Sequence, residues 1–328
     1  MPANLPPDYF EAEKGFREAK TPEAKIEALE EMLSIIPKHK GTDKLRADLR
    51  RRISKFREQS QKKKGVSKRK AAFSIDREGA AQVALIGPPN SGKSSLVALL
   101  TNSSPEIADF PHTTQKPMPG MASYEDIQYQ LIDTPPVTKE YMEPLMGDLI
   151  RRADILVVLL DLHDRTLQQY EDVMNILHSL RVYPDKSEGP ADLKKPPFIK
   201  KIFIVVNKMD TAEDVEDFEV FMELTDMRMP CIGVSVRTGK NIPLFMKHVF
   251  DLSEVVRVYT KSPGKEPDMK APYVVPSGST LEELAGRIHK DFIRQLKNAR
   301  IWGKAVRDGQ LVQRDYVMHD GDIVEIHV

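Results

Sequence analysis

The sequence predicts an α/β protein with a mostly parallel sheet covered by helices on both faces, and three observations point there. First, a short apolar run, QVALI at 82–86, passes through the loop GPPNSGKSS directly into the helical LVALL. Second, four more apolar runs, IQYQLI, ADILVVLL, KIFIVVN and PCIGVSV, alternate with helix-like stretches around 141–152, 166–180, 213–224 and 241–250. Third, 328 residues at roughly 150 per domain make about two domains, enough chain for a buried sheet and a ligand cleft. In such a sheet the ligand loops lie beyond the C-terminal ends of the strands.

The elements before the sheet read as helices. After a proline-marked lead, Thr21 is a candidate N-cap with Pro22 at the first helical position, and AKIEALEEMLSII is amphipathic. Pro37 through Gly41 should stop that helix, and a second one begins near Thr42, with Leu45, Leu49, Ile53 and Phe56 at spacings of three or four. Arg50, Arg51, Arg52 and Lys55 surround this stripe, so residues 1–64 are expected to form a basic helical hairpin. KKKGVSKRKAAF at 62–73 has no sustained apolar period and reads as a mobile linker or basic loop. After the sheet, SPGKEPDMKAPYVVPSG is rich in Pro and Gly and marks a change of rhythm. VVRVYT reads as a strand, STLEELAGRIHKDF as one helix capped by Ser279 or Thr280, and IWGKAVRDG and DIVEIHV as further strands. The expected division is 1–79, 80–253 and 254–328.

Charge is balanced overall, with 49 basic and 49 acidic side chains, but unevenly spread. Residues 1–79 hold 20 basic and 13 acidic residues, and between Lys38 and Arg77 there are 16 basic residues against four acidic ones. Such asymmetry points to a polyanionic partner rather than to a fold. The single cysteine, Cys231, excludes an intramolecular disulfide, and no tight Cys and His cluster offers structural zinc ligands. The N-terminus has no continuous apolar segment, no stretch of 18 apolar residues follows, and no lipidation signal is present. A cytoplasmic protein with no membrane partner is the expectation.

Chemistry concentrates at the sheet. Gly87, Pro88, Pro89, Asn90, Ser91, Gly92, Lys93 and Ser94 have the spacing and the Lys-Ser ending of a phosphate-binding P-loop, between a strand and a helix as that loop requires, with Ser95 continuing the run. Glycines let the backbone close its N–H groups around phosphate, Lys93 reaches toward the outer phosphates, and Ser94 can ligate Mg²⁺. Asp133 ends the strand IQYQLI and can hold the same ion or one of its waters. Asn207, Lys208 and Asp210 follow the strand KIFIVV, placing the Asp210 carboxylate where it can accept two N–H groups from guanine, while Asn207 braces neighbouring loops and the Lys208 stem covers the base. Ser235, Val236 and Arg237 close that edge, and the Val236 N–H is a candidate donor to guanine O6. GTP and GDP are therefore the expected ligands.

In order and spacing these motifs resemble translation-factor-class GTPases of the Obg and developmentally regulated GTP-binding protein group. The resemblance implies GTP hydrolysis with Mg²⁺. It identifies PEIADFPHTTQKPMPG, 105–120, as the first switch segment, with Thr114 sensing Mg²⁺ and the γ-phosphate and Thr113 as the alternative. Asn90 matches the P-loop asparagine that related GTPases associate with a potassium ion; a loop-stabilising Asn is the other reading. Hydrolysis would then rest on Lys93, Thr114 and Asn90. Two departures bear on rate. The family's Asp-x-x-Gly is Asp133-Thr134-Pro135-Pro136 here, so Pro136 has no N–H for a γ-phosphate. The next residue, where many GTPases keep a water-orienting Gln, is Val137, a hydrophobic replacement similar to that of the Obg-related branch, so slow turnover is expected.

The flanks carry the resemblance further. Residues 254–328 are similar to the TGS domain, a ubiquitin-like β-grasp module, and the N-terminal hairpin resembles the helical region preceding the G domain in that group. The implied architecture is a P-loop NTPase G domain between an N-terminal helical hairpin and a C-terminal TGS domain. The implied partners are the ribosome or structured RNA, met through phosphate contacts of the basic hairpin, and a protein at the TGS domain. Developmentally regulated GTP-binding proteins insert a small α/β domain after the second switch, whereas only about 20 residues separate Asp133 from ADILVVLL. A guanine-nucleotide-binding adaptor with very weak or no hydrolysis is the alternative function.

Overall fold

The computed structural model describes residues 6–19, 21–37, 42–101, 116–139, 142–185, 195–225, 227 and 229–327. The chain divides into two compact units, Met1–Ser74 and Ile75–Val328.

Among its described residues the first unit contains three helices, α1 (Pro7–Glu18), α2 (Pro22–Ile35) and α3 (Asp43–Phe73). Thr21 caps α2, its side chain accepting from the Ala24 N–H, with Pro22 following as the sequence suggested. Tyr9 and Ala12 of α1, Leu29 and Met32 of α2 and Leu49 and Ile53 of α3 form the buried core, with Phe16 and Phe56 packed against it. Two expectations are corrected here. The hairpin α2–α3 is joined by α1 as a third helix, and residues 62–73, expected as a linker or loop, continue α3 to Phe73. Apolar periodicity reports burial, not helicity. A run of Lys, Arg, Ser and Ala with one glycine and no proline keeps enough helix propensity to extend a helix already nucleated.

The second unit is built on a six-stranded sheet. Its strands and helices are β1 (Gln82–Ile86), α4 (Lys93–Leu100), β2 (Met118–Tyr124), β3 (Ile127–Asp133), α5 (Met146–Arg152), β4 (Ile155–Asp161) and α6 (Thr166–Ser179). A small parallel pair follows, β5 (Val182–Tyr183) with β6 (Phe198–Ile199), then β7 (Lys201–Asn207), α7 (Glu213–Leu224), β8 (Cys231–Gly233) and α8 (Ile242–Ser253). Strand order is β2-β3-β1-β4-β7-β8, and every pairing is parallel except β2 with β3. β1, β4 and nearly all of β7 are buried along their length, which explains their unbroken apolar sequence. β2 was not expected, because 118–120 fell in the switch reading. MPGMASY contains Pro119 and Gly120, tolerable only because this strand lies at the sheet's edge.

The remaining elements are β9 (Val255–Thr260), β10 (Asp268–Pro276), α9 (Leu281–Ile288), α10 (Lys290–Gln295), β11 (Asn298–Trp302), β12 (Gln310–Val312) and β13 (Asp322–His327). They form a five-stranded mixed sheet ordered β10-β9-β13-β11-β12, in which β13 runs parallel to β9. Thr280 caps α9 in a capping box with Glu283, and Leu281 and Leu284 are fully buried beneath the sheet. The single helix read from STLEELAGRIHKDF is two. His289 adopts an extended conformation, φ −158° and ψ 139°, ends α9 and caps α10 by accepting from the Asp291 N–H. The Pro- and Gly-rich segment likewise contains β10, whose register shifts between Asp268 and Tyr273.

Candidate nucleotide-binding site

The loop after β1 is shaped by two glycines. At Gly92 φ is 96°, a left-handed conformation that starts α4, and a Cβ there would lie 2.2 Å from Asn207 Nδ2. A Cβ on Gly87 would lie 2.2 Å from the Leu159 carbonyl oxygen of β4, so the loop's first residue can be nothing larger. Pro88 and Pro89 are half-buried, Ser91 is fully buried and donates to the Pro88 carbonyl at 3.1 Å, and Asn90 is exposed with φ 60°. Lys93 is 6% exposed, and its ammonium donates to the carbonyls of Gly87 at 3.1 Å and Pro88 at 2.7 Å. Burial pulls its pKa down to about 8, against a smaller opposing pull from Asp133.

Ser94 stands at the start of α4, and its hydroxyl donates to Asp133 Oδ2 at 2.6 Å across the β1–β3 pairing. The two oxygen donors expected to hold a divalent ion are thus adjacent, hard ligands suited to Mg²⁺. Ser95 follows on the same helical turn. Thr134 donates to the Leu85 carbonyl at 2.5 Å, and Val137, 2% exposed, donates its N–H to the Gly87 carbonyl at 3.0 Å. Pro135 and Pro136 have no N–H, so Val137 carries the first backbone donor after Thr134, and that donor lies on the phosphate loop. Thr114 and Thr113 lie outside the described residues.

The residues expected to form a base edge stand at the ends of β7 and β8. Asn207, 3% exposed, donates through Nδ2 to the Ser91 carbonyl at 2.9 Å and accepts the Val236 N–H on Oδ1 at 3.1 Å, tying phosphate loop and base loop together. The Val236 N–H, suggested above as a donor to guanine O6, is engaged here by Asn207. Asp210 accepts from the Ser235 hydroxyl, and its Oδ2 lies 3.0 Å from Arg237 Nε; Arg237 itself is largely exposed. Lys208 adopts φ 72°, and its ammonium pairs with Asp161 at the end of β4.

Sequence reasoning missed three residues of this edge. Asp214 Oδ2 accepts the N–H groups of Asp210 and Thr211, both at 2.7 Å, and the Thr211 N–H holds its carboxyl below the usual range. Asp161 holds Lys208, and His163 reaches the Lys208 carbonyl at 3.2 Å. One signal was available, since Asp161 terminates an apolar run as Asn207 does, and the two are register partners of neighbouring parallel strands.

Residues 82–208 match the sequence profile of a family described as "50S ribosome-binding GTPase", and residues 256–328 match that of the TGS domain. An uncharacterized GTP-binding protein of Methanocaldococcus jannaschii is 26% identical over 93% of this chain and 92% of its own length. Developmentally-regulated GTP-binding protein 1 of Xenopus laevis is 24% identical, and developmentally-regulated GTP-binding protein 2 of Homo sapiens 23%, each over 92% of this chain and 98% of the relative. Fold, site and these likenesses define a GTP-binding, GTP-hydrolysing protein of the translation-factor GTPase superfamily with a C-terminal TGS domain. Within that superfamily the chain is related to the developmentally regulated GTP-binding proteins, and membership implies Mg²⁺-GTP as the bound species.

Proposed function

We propose that this chain is a slow GTP-driven switch acting on ribosomes or structured RNA in the cytoplasm, an Obg-related GTPase organised as 1–79, 80–253 and 254–328. The carrying observation is that Asn207 bridges Ser91 of the phosphate loop and Val236 of the base loop, so one side chain sets the distance between the two halves of a nucleotide site. In this reading the loop from Gly87 to Ser95 wraps the phosphates, Lys93 leaves the loop carbonyls for the β- and γ-phosphates, and Asp210 reads the guanine edge beside Lys208, Ser235, Val236 and Arg237. Ser94, Asp133 and Thr114 would hold Mg²⁺, which supplies charge neutralisation at the phosphates. Asn90 would add a K⁺ ligand. Slow turnover follows because Val137 has no side-chain group to orient water and its N–H already has an acceptor in Gly87.

Compactness relative to the developmentally regulated proteins is supported by length. Alignment with developmentally-regulated GTP-binding protein 1 of Xenopus laevis runs over 360 positions, 32 more than this chain has residues. Among the described residues, α5 is the one helix between Asp133 and β4. RNA contact is supported by the exposed Arg50, Arg51 and Lys55 of α3, and the TGS domain would take a protein partner.

One experiment tests the reading: phosphate release and nucleotide affinity, with GTP and ATP compared in K⁺ and in Na⁺, with and without ribosomes. We expect guanine preference of at least about 100-fold, a discrimination of about 2.7 kcal/mol, and slow release that K⁺ and ribosomes speed. Arg50→Glu, Arg51→Glu and Lys55→Glu together should weaken ribosome co-sedimentation and flatten its salt dependence. Equal affinity for GTP and ATP would overturn the proposal. Guanine binding with no phosphate release under any condition would favour the adaptor, to which Pro136 and the engaged Val137 N–H already point.

A further inference from the structure

We propose that Asp161, with His163 beside it, is a positioning residue for guanine-nucleotide binding, acting through Lys208. The inference rests on the reading of Lys208 as the cover of the base. Lys208 is held at both ends by one loop. Its carbonyl accepts from His163 Nε2 at 3.2 Å, and its ammonium pairs with Asp161 Oδ2. The other oxygen of Asp161 accepts the His163 N–H at 3.0 Å, so holder and held form a closed ring of contacts between the β4–α6 loop and the turn after β7.

That loop is itself fixed. The Asp161 N–H donates to Gln169 Oε1 at 2.9 Å, and Thr166 Oγ1 donates to the carbonyls of Asp161 at 3.0 Å and Leu162 at 2.8 Å. The Leu162 N–H reaches the Asn207 carbonyl at 3.1 Å, joining the loop to the residue before Lys208. The Asp161 side chain is 9% exposed and that of Lys208 37%. A largely buried carboxylate therefore holds the lysine head while the Lys208 side chain as a whole stays partly accessible.

A left-handed backbone is unfavourable for lysine, and a four-carbon stem samples many rotamers. Fixing both before a ligand arrives removes an ordering cost from binding a planar base against the stem. His163 also lies 3.5 Å from Asp214 Oδ1, the carboxylate that holds the Asp210 and Thr211 N–H groups, so the same loop touches the support of the base-reading acid.

The test uses the full chain and titrates GDP, IDP and ADP against wild type, Asp161→Asn, Asp161→Glu, Lys208→Met and the double variant Asp161→Asn/Lys208→Met. IDP lacks the 2-amino group that Asp210 would read. Asp161→Asn should weaken GDP and IDP alike by about tenfold, a free-energy step of about 1.4 kcal/mol, and Asp161→Glu should recover most of it. In the Lys208→Met background the substitution should add little. Lys208→Met keeps an apolar stem of the same length, a sulfur standing for one methylene, and removes the ammonium, so it reads the same contact if Asp161→Asn fails to fold. Unchanged GDP affinity in both single variants, or a full additional loss in the double variant, overturns the inference while leaving the guanine site standing. Wild-type protein without preference for GDP over ADP would remove the base-site reading, and this inference with it.

Discussion

Lys93 shows how a buried ammonium burdens the protein that carries it. The residue is 6% exposed and its ammonium is satisfied by loop carbonyls, so the charge has little solvation and its pKa falls to about 8 from 10.5. The sign of the consequence follows from proton counting. Between about pH 8 and 10.5 the unfolded chain holds a proton at this lysine that the folded chain has released, so folding becomes more favourable as pH rises through that window. Below pH 8 both states are protonated and the penalty is fully present. In thermal melts of nucleotide-free protein, wild type should therefore gain stability relative to Lys93→Met between pH 8 and 10.5, by up to on the order of 3 kcal/mol. Parallel pH profiles for the two proteins would discard the assignment. The phosphate loop was legible in sequence because its contacts are local, whereas the bond from Asp161 to Lys208 spans 47 positions and becomes visible only when β4 and β7 are paired.

Elements show a different balance between pattern and context. β1, β4 and β7 could be read from composition because burial on both faces confines their polar residues to the strand ends. β2 could not, since at the sheet's edge Pro119 and Gly120 are tolerated and the strand is defined by seven register pairs with β3, from Met118↔Asp133 to Tyr124↔Ile127. In α3 the same logic runs in reverse, a helix continuing where no apolar stripe exists to announce it. In α9 local chemistry decides. Thr280 and Glu283 exchange side-chain and backbone bonds, and the helix they start carries Leu281 and Leu284 into the core of its sheet. Thr280→Ala should cost about 1 kcal/mol, and Thr280→Ser should restore most of it, measured by denaturant unfolding. An Ala variant as stable as wild type would show that packing alone sets the start of α9.

In the second unit a guanidinium links the six-stranded sheet to the five-stranded one. Arg257 of β9 bonds Asp320 in the turn before β13, at 2.9 Å and 2.7 Å, and reaches Glu125 and Asp126 at the tip of the β2–β3 hairpin, the latter at 3.0 Å. Its plane lies 4.9 Å from the Phe250 ring of α8, and Tyr259 donates to the same Asp126. The side chain is 14% exposed, and hydrogen bonding, to Asp320 first and then to Glu125 and Asp126, raises its pKa further, so the charge is permanent. A planar fork spreads five N–H donors over three carboxylates on different elements, where an ammonium offers three donors from a single point. Arg257→Ala leaves Asp126 and Asp320 without this partner and strips the face of Phe250, a change worth about 2 kcal/mol or more given partial exposure of the acids. Arg257→Lys should recover less than half. The loss should also have a location, with amide exchange rising at the β2–β3 tip and along β9 while β1, β4 and β7 keep their protection. Because β3 ends at Asp133, whose carboxylate accepts from Ser94, the tip contacts and the candidate metal ligands sit at opposite ends of one strand pair. If exchange in Arg257→Ala rose uniformly across the unit, or not at all, the guanidinium would be one contact among many and the attachment of the two sheets would reside in the Tyr259 to Asp126 bond and in the ties of Tyr129 to Ser253 and Lys201 to Glu254 at the end of α8.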